Sequence, residues 1–204
     1  MTPPSTPELR DAYERAASAL LAEATPAGHW VGELSASALS TATAIATLSL
    51  LATKAPARAA ELRPLIERGL VWLAAEQNDD GGWGDTVLSV SNISTTMLAR
   101  AAFVLSGVAE RHANSVTAAV QYIDRQGGVA AVHARYGTDR TFSAPILTQC
   151  AIAGLVDWRE VSPLPFELAW FPHSFYKFVS LPVVSYALPA LIAIGQVRHT
   201  FAPS

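Results

Sequence analysis

Acidic groups crowd one short stretch of the chain, Asp79-Asp80-Gly81-Gly82-Trp83-Gly84-Asp85. Carboxylates this close could hold a divalent cation or act as a general acid. The interleaved glycines favour another role: Asp and Gly fill turn positions, so the stretch is expected to be a solvated turn between helices. A cation loop would need more oxygen ligands at regular spacing. An Asp-Asp-x-x-Asp diphosphate site is excluded, because Trp83 occupies its last place. His29, His112, His133, His173 and His199 share no metal-ligand spacing, and neither a metal nor a cofactor is expected. Cys150 sits in an apolar run beside Gln149 with no basic neighbour, which predicts a buried small hydrophobe and no nucleophile. Ser and Thr are abundant, but no nucleophile elbow or phosphate loop accompanies them. No catalytic residue is assigned.

The elements that position these residues are helical. Half of the 204 residues are apolar and 15% are charged, enough for a sizeable core. Net charge is −3 without a basic cluster, which gives no reason to expect nucleic acid. One cysteine forms no internal disulfide and fits a reducing, cytoplasmic compartment. The start, Met-Thr-Pro-Pro-Ser-Thr-Pro, has no apolar run of a secretory signal. Residues 1–8 read as a loose leader, with Thr6, Pro7 and Glu8 as N-cap, N1 and N2 of the first helix. A single domain is expected over 9–204. Leu9, Ala12, Tyr13, Ala16, Ala17, Leu20 and Leu21 form a helical stripe. Ser37–Leu51, Ser94–Leu105 and Ala144–Val156 are apolar on most faces and read as buried helices. Leu62–Glu76 and Thr117–Arg125 are amphipathic, the latter stopping at Gln126-Gly127-Gly128. Pro163–Pro172 reads as a loop with one short helical turn, and a weak hairpin is drawn at Val31–Leu34. Val179–Gly195 is the one membrane candidate; at 17 residues with Pro182 and Pro189 inside it, it reads as a buried helix starting near Pro182 and kinked at Pro189.

Amphipathic helices thus alternate with apolar ones, and the alternation has a sequence period. Gly28 and Gly81, and likewise Trp30 and Trp83, are 53 residues apart. Each Trp is followed by small residues, Ser37-Ala38-Leu39-Ser40-Thr41 and Ser91-Asn92-Ile93-Ser94-Thr95. A repeat of about 50 residues fits helical hairpins stacked into a two-layer array.

Residues 68–83 carry Arg68, Trp72, Leu73, Gln77, Gly81 and Trp83, and this order resembles the QW motif of the squalene–hopene cyclase family. The first copy is degenerate: Arg15, Leu20, Leu21, Gly28 and Trp30 match, with Thr25 in the place of Gln. Val120–Gly128, Val161–Glu167 and Phe175–Phe178 resemble further segments of the same family in the same order. The similarity covers Arg15 to Gly195 and concerns the family's N-terminal part.

The resemblance implies an all-α fold, a partial or open α/α barrel (toroid) of hairpins. It implies that Gln77 and Trp83 are structural staples, the amide capping a neighbouring helix end and lying against the indole, with Trp30 a weaker copy. It implies isomerase chemistry on a polyprenyl or triterpene hydrocarbon such as squalene, without metal, on the cytoplasmic face of a membrane with monotopic contact. The family's proton donor is an Asp-x-Asp-Asp motif, which is absent from this chain. The chain is therefore expected to wall a substrate cavity or to complete a cyclase with another chain. Tyr176, Phe178 and Tyr186 are the candidate wall residues, and Leu181 stands where hopene cyclases carry Trp. The alternative is a non-catalytic toroid acting as a structural module or homodimer. A protein-prenyltransferase-like subunit would need Asp, Cys and His zinc ligands that the chain does not present.

Overall fold

The computed structural model describes residues 4–31, 35–178 and 188–203, apart from the side chains of Leu168, His173 and Lys177. The chain divides into two compact units, Met1–Ser35 and Ala36–Ser204.

The first unit holds α1 (Thr6–Ala22). It begins inside the expected leader because Ser5, one residue earlier than read, is the N-cap. Glu8 accepts from the Ser5 N–H at 2.7 Å and from its hydroxyl at 2.7 Å, a capping box. Those bonds hold the exposed Glu8 carboxyl below its ordinary pKa. The apolar stripe of α1 is present but uncovered: Leu9, Tyr13, Leu20 and Leu21 are exposed. One helix and one turn offer no second layer within the unit to bury it.

The second unit contains α2 (Ala38–Lys54), α3 (Ala59–Ala75), α4 (Ile93–Leu105), α5 (Ala113–Gln126), α6 (Gly128–Tyr136), α7 (Arg140–Ile152), α8 (His173–Phe178) and α9 (Leu188–Phe201). Short 3-10 turns lie at Pro56–Arg58, Ala109–His112, Trp158–Glu160 and Phe166–Trp170. The helix starts follow the capping rule: the Ser37 hydroxyl accepts from the Ser40 N–H, and the Asn92 side-chain Oδ1 accepts from the Thr95 N–H. The α5 stop is Gly127, at φ 97, a left-handed position that glycine adopts without penalty.

Packing follows the alternation read from the sequence. α4 lies against α2 on one side and α7 on the other, and α7 continues to α9. α3 backs α2, α5 backs α4, and α6 packs on both α4 and α7. The fold is all-α, of the α/α toroid type. The central helix α4 is buried from Ile93 to Phe103 at every position except Arg100. α2 is different. Only Ala38, Ala42, Ile45, Ala46 and Ser49 are buried, while Ser40, Thr43, Ala44 and Thr47 are exposed. Small residues on all faces satisfied the buried-helix pattern without saying which face is covered.

Both α3 and α7 start earlier than read. Each carries a proline at its sixth residue, Pro64 and Pro145. A proline there removes one helical hydrogen bond, and the packed surroundings of each helix offset that loss. At the other end of the chain Pro189 is the second residue of α9 as described, and the expected kink there depends on residues that precede the described ones. Residues 179–187 and 32–34, with the read helix start at Pro182 and most of the hairpin, lie outside the described residues. Among the described residues no helix is long and apolar enough to cross a membrane.

Candidate functional site

The turn after α3 is built by backbone and side-chain hydrogen bonds. The Asn78 N–H donates to the Gly82 carbonyl at 3.0 Å, and the Gly81 N–H donates to the Asn78 carbonyl at 2.8 Å. Gly81 has φ +85. A Cβ there would stand 2.7 Å from the Ala118 carbonyl oxygen, so the residue must be glycine on both counts. The Trp83 indole N–H then donates to the Leu73 carbonyl at 2.8 Å. The last carbonyls of a helix have no donor of their own, so the indole caps α3. The Gln77 side chain reaches the other way: its amide donates to the Gly81 carbonyl at 2.8 Å and to the Ser115 carbonyl, in the first turn of α5, at 2.9 Å.

The first unit repeats this pattern 53 residues earlier. The Thr25 N–H donates to the His29 carbonyl at 2.8 Å, and the Gly28 N–H to the Thr25 carbonyl at 2.9 Å. Gly28 has φ +79. The Trp30 indole N–H donates to the Leu20 carbonyl at 2.6 Å. Matched bond for bond, Thr25 corresponds to Asn78, and Ala24 stands where Gln77 does. This corrects the assignment of Thr25 to the Gln position, because its bonds are those of the turn. The indole bonds the end of its own preceding helix, whereas the amide, expected at a neighbouring helix end, bonds the first turn of α5. The Gln77 amide ties turn to helix.

The rest of the motif divides by burial. Leu73 and Trp83 are 0% exposed, whereas Trp30 is 49% exposed. Trp72 is half-buried against the core and Arg68 is exposed. The Trp83 ring meets Phe103 at 6.2 Å. Its backbone N–H donates to the Thr96 hydroxyl, and its carbonyl accepts from the Asn92 N–H. The carboxylates of the acidic stretch are drawn into the same frame. Asp80 accepts from the Gly82 N–H and the Ser91 hydroxyl. Asp85 accepts from the Asn92 amide at 2.8 Å and the Thr95 hydroxyl at 2.6 Å. Asn78, Asn92, Thr96 and Ser115 were missed as partners; the N-cap signal of Asn92 ahead of an apolar helix was the one legible clue.

The candidate wall residues are not gathered by the described residues. Tyr176 is half-buried with its ring edge-on to Phe175 at 5.8 Å. Phe178 is 86% exposed. Leu181 and Tyr186 lie outside the described residues. A surface that sequence reasoning missed is the open side of α2. Leu39, Ser40, Thr43, Ala44, Thr47 and Leu48 line a shallow hollow of about 530 Å³. The hydroxyls of Thr43 and Thr47 donate to the carbonyls of Leu39 and Thr43 in the preceding turn, each at 2.9 Å. With those hydroxyls satisfied inside the helix, the hollow is apolar although its residues include threonine.

Against known proteins, residues 13–187 match the squalene–hopene cyclase N-terminal domain. The chain belongs to the squalene–hopene cyclase family. The enfumafungin synthase of Hormonema carpetanum is 32% identical over 199 residues, covering 94% of this chain and 13% of that protein. A terpene cyclase–glycosyl transferase fusion protein of Humicola fuscoatra is 31% identical over 214 residues, covering 98% of this chain and 14% of that protein. The cyclase-family chain thus spans about one-seventh of the length of the curated relatives it matches. No solved structure matches it.

Cys150 completes the interior. It is 1% exposed, and burial pushes its thiol up to about 12, against a smaller opposing pull from Arg100. A thiol held protonated is inert as a nucleophile.

Proposed function

We propose that this chain supplies part of the apolar wall around a polyprenyl or triterpene hydrocarbon in a terpene cyclase and takes no part in protonating it. The open face of α2 carries the reading. A polyene offers no group for a hydrogen bond, so its binding surface must be apolar and free of unsatisfied donors. The α2 hollow is largely apolar, and its two threonine hydroxyls are satisfied within the helix. Tyr176, Phe178, Leu181 and Tyr186 are the aromatic and apolar candidates for the same wall. Cyclisation begins with protonation of an alkene by a strong acid in a dry site. The chain has no Asp-x-Asp-Asp sequence, and Asp80 and Asp85 are engaged as acceptors in the turn. The acid is assigned to the rest of the cyclase or to a second chain, with the assembly resting by monotopic contact on the cytoplasmic face of a membrane.

Incubation of the chain with squalene, followed by extraction and gas chromatography, tests this. Squalene is expected back unchanged; a cyclic product would overturn the reading. A second reading, a structural module that pairs with its own copy, is supported by the uncovered stripe Leu9, Tyr13, Leu20 and Leu21. Light scattering at high concentration separates the two, since a clean monomer counts against pairing.

A further inference from the structure

A second cleft of the second unit shares no residue with the α2 hollow. It has a volume of about 610 Å³ and is bounded by the C-terminal half of α2, the first half of α3 and the turn after α4. That volume is of the size that takes small organic molecules. Its apolar walls come from Ala52, Ile66, Leu70, Leu105 and Val108. Three polar features converge on it. Ser49 is 5% exposed, lines the cleft, and its hydroxyl has no hydrogen-bond partner. A buried hydroxyl without a partner is unfavourable, so this one is poised for a group entering the cleft. Arg63 lines the cleft with an exposed guanidinium. Arg111 also lines it, holding Glu67 at 2.8 Å. That pair is exposed, with side chains 57% and 47% accessible, and an exposed pair contributes little. Arg111 is therefore free to exchange Glu67 for a better acceptor.

We propose that this cleft binds a small anionic amphiphile, whose acidic head pairs with Arg63 and Arg111 while its apolar chain lies along Ile66, Leu105 and Val108 and a polar atom near the head meets the Ser49 hydroxyl. Two arginines against one glutamate leave the lining net positive, and guanidinium groups match phosphate and carboxylate geometry. The aliphatic wall explains why a bare inorganic anion would be a poor occupant. The head chemistry is shared by alkyl phosphates and fatty carboxylates.

The test uses the whole chain and octyl phosphate below its micelle concentration, followed by calorimetry and by methyl NMR of Ile66, Leu105 and Val108. Saturable binding with shifts at those methyls is expected. Inorganic phosphate and 1-octanol should each bind at least about tenfold more weakly, lacking the tail or the charge. Arg63→Gln should weaken octyl phosphate about tenfold. Glu67→Gln should tighten it about threefold by releasing Arg111, a gain that a damaged fold would not give. Ser49→Ala should weaken it a few-fold. Both charge variants are at exposed positions, so an unchanged melting temperature accompanies the expected result. Octanoate binding as tightly as octyl phosphate assigns the site to carboxylates; weaker octanoate binding assigns it to phosphorylated chains; either supports the site. Absence of binding, octanol matching octyl phosphate, or affinity untouched by both Arg63→Gln and Glu67→Gln would overturn it.

Discussion

The turn after α1 and the turn after α3 share one backbone design and differ in nearly everything around it. Each has a glycine at positive φ, a residue whose N–H donates four residues on and whose carbonyl accepts from three residues on, and an indole N–H capping a helix carbonyl ten residues back. Trp83 is fully buried and its turn is tied to α5 through Gln77, whereas Trp30 is half-exposed and Ala24 offers no such tie. The comparison separates two contributions. Glycine and tryptophan set the shape of the turn; burial and the cross-link to the next helix make it a structural joint.

Substitutions made in pairs test that separation. The largest difference is expected at the indoles. Trp83→Ala should cost about 3–5 kcal/mol in denaturant unfolding, as for other buried aromatics, and Trp30→Ala about 1 kcal/mol, the scale of one hydrogen bond. Equal losses would break the comparison. The glycines come next. Gly28→Ala meets nothing within 4 Å and should cost about 1–2 kcal/mol for its left-handed backbone. Gly81→Ala adds the clash with Ala118, worth about 1–3 kcal/mol more by analogy with overpacking. Gln77→Ala leaves the Ser115 and Gly81 carbonyls without this donor and should cost about 1–3 kcal/mol. Ala24→Gln should change stability by no more than about 0.5 kcal/mol, because a glutamine at 24 alone supplies no second helix to hold.

The smallest effect at neutral pH belongs to Cys150. Its folded thiol titrates at about 12, against an ordinary value of 9.0. The unfolded chain therefore loses the proton first, and the stability this burial contributes, complete below about pH 9, should fall as pH rises from about 9 to about 12. A thiol reagent at pH 8 should label the chain only in denaturant. Fast labelling of the native chain would contradict the burial.

Much of this was legible in the residues. The 53-residue interval located both turns, Ser37 and the polar run before α4 marked helix starts, and Gly127 marked a stop. Three features were not. Pro64 and Pro145 masked the first turns of α3 and α7, because a local rule cannot see the packing that offsets one lost bond. α2 and α4 look alike in composition, and only their neighbours decide that α4 is covered almost all round while α2 is covered on one side. The partners of Trp83 and Gln77 come from α3, α4 and α5, far apart in sequence, so no local motif announces them. Family resemblance supplied the fold class, and the open α2 surface emerged only from the packing.

That surface is where the functional account is most exposed to test. Retention of tritiated squalene by the chain on gel filtration, measured for the natural sequence and for Ala44→Asp, addresses it directly. Ala44 is exposed and lines the hollow, so a carboxylate there should leave the melting temperature unchanged. The account predicts at least a tenfold loss of squalene retention. Retention equal to that of the natural chain would contradict it.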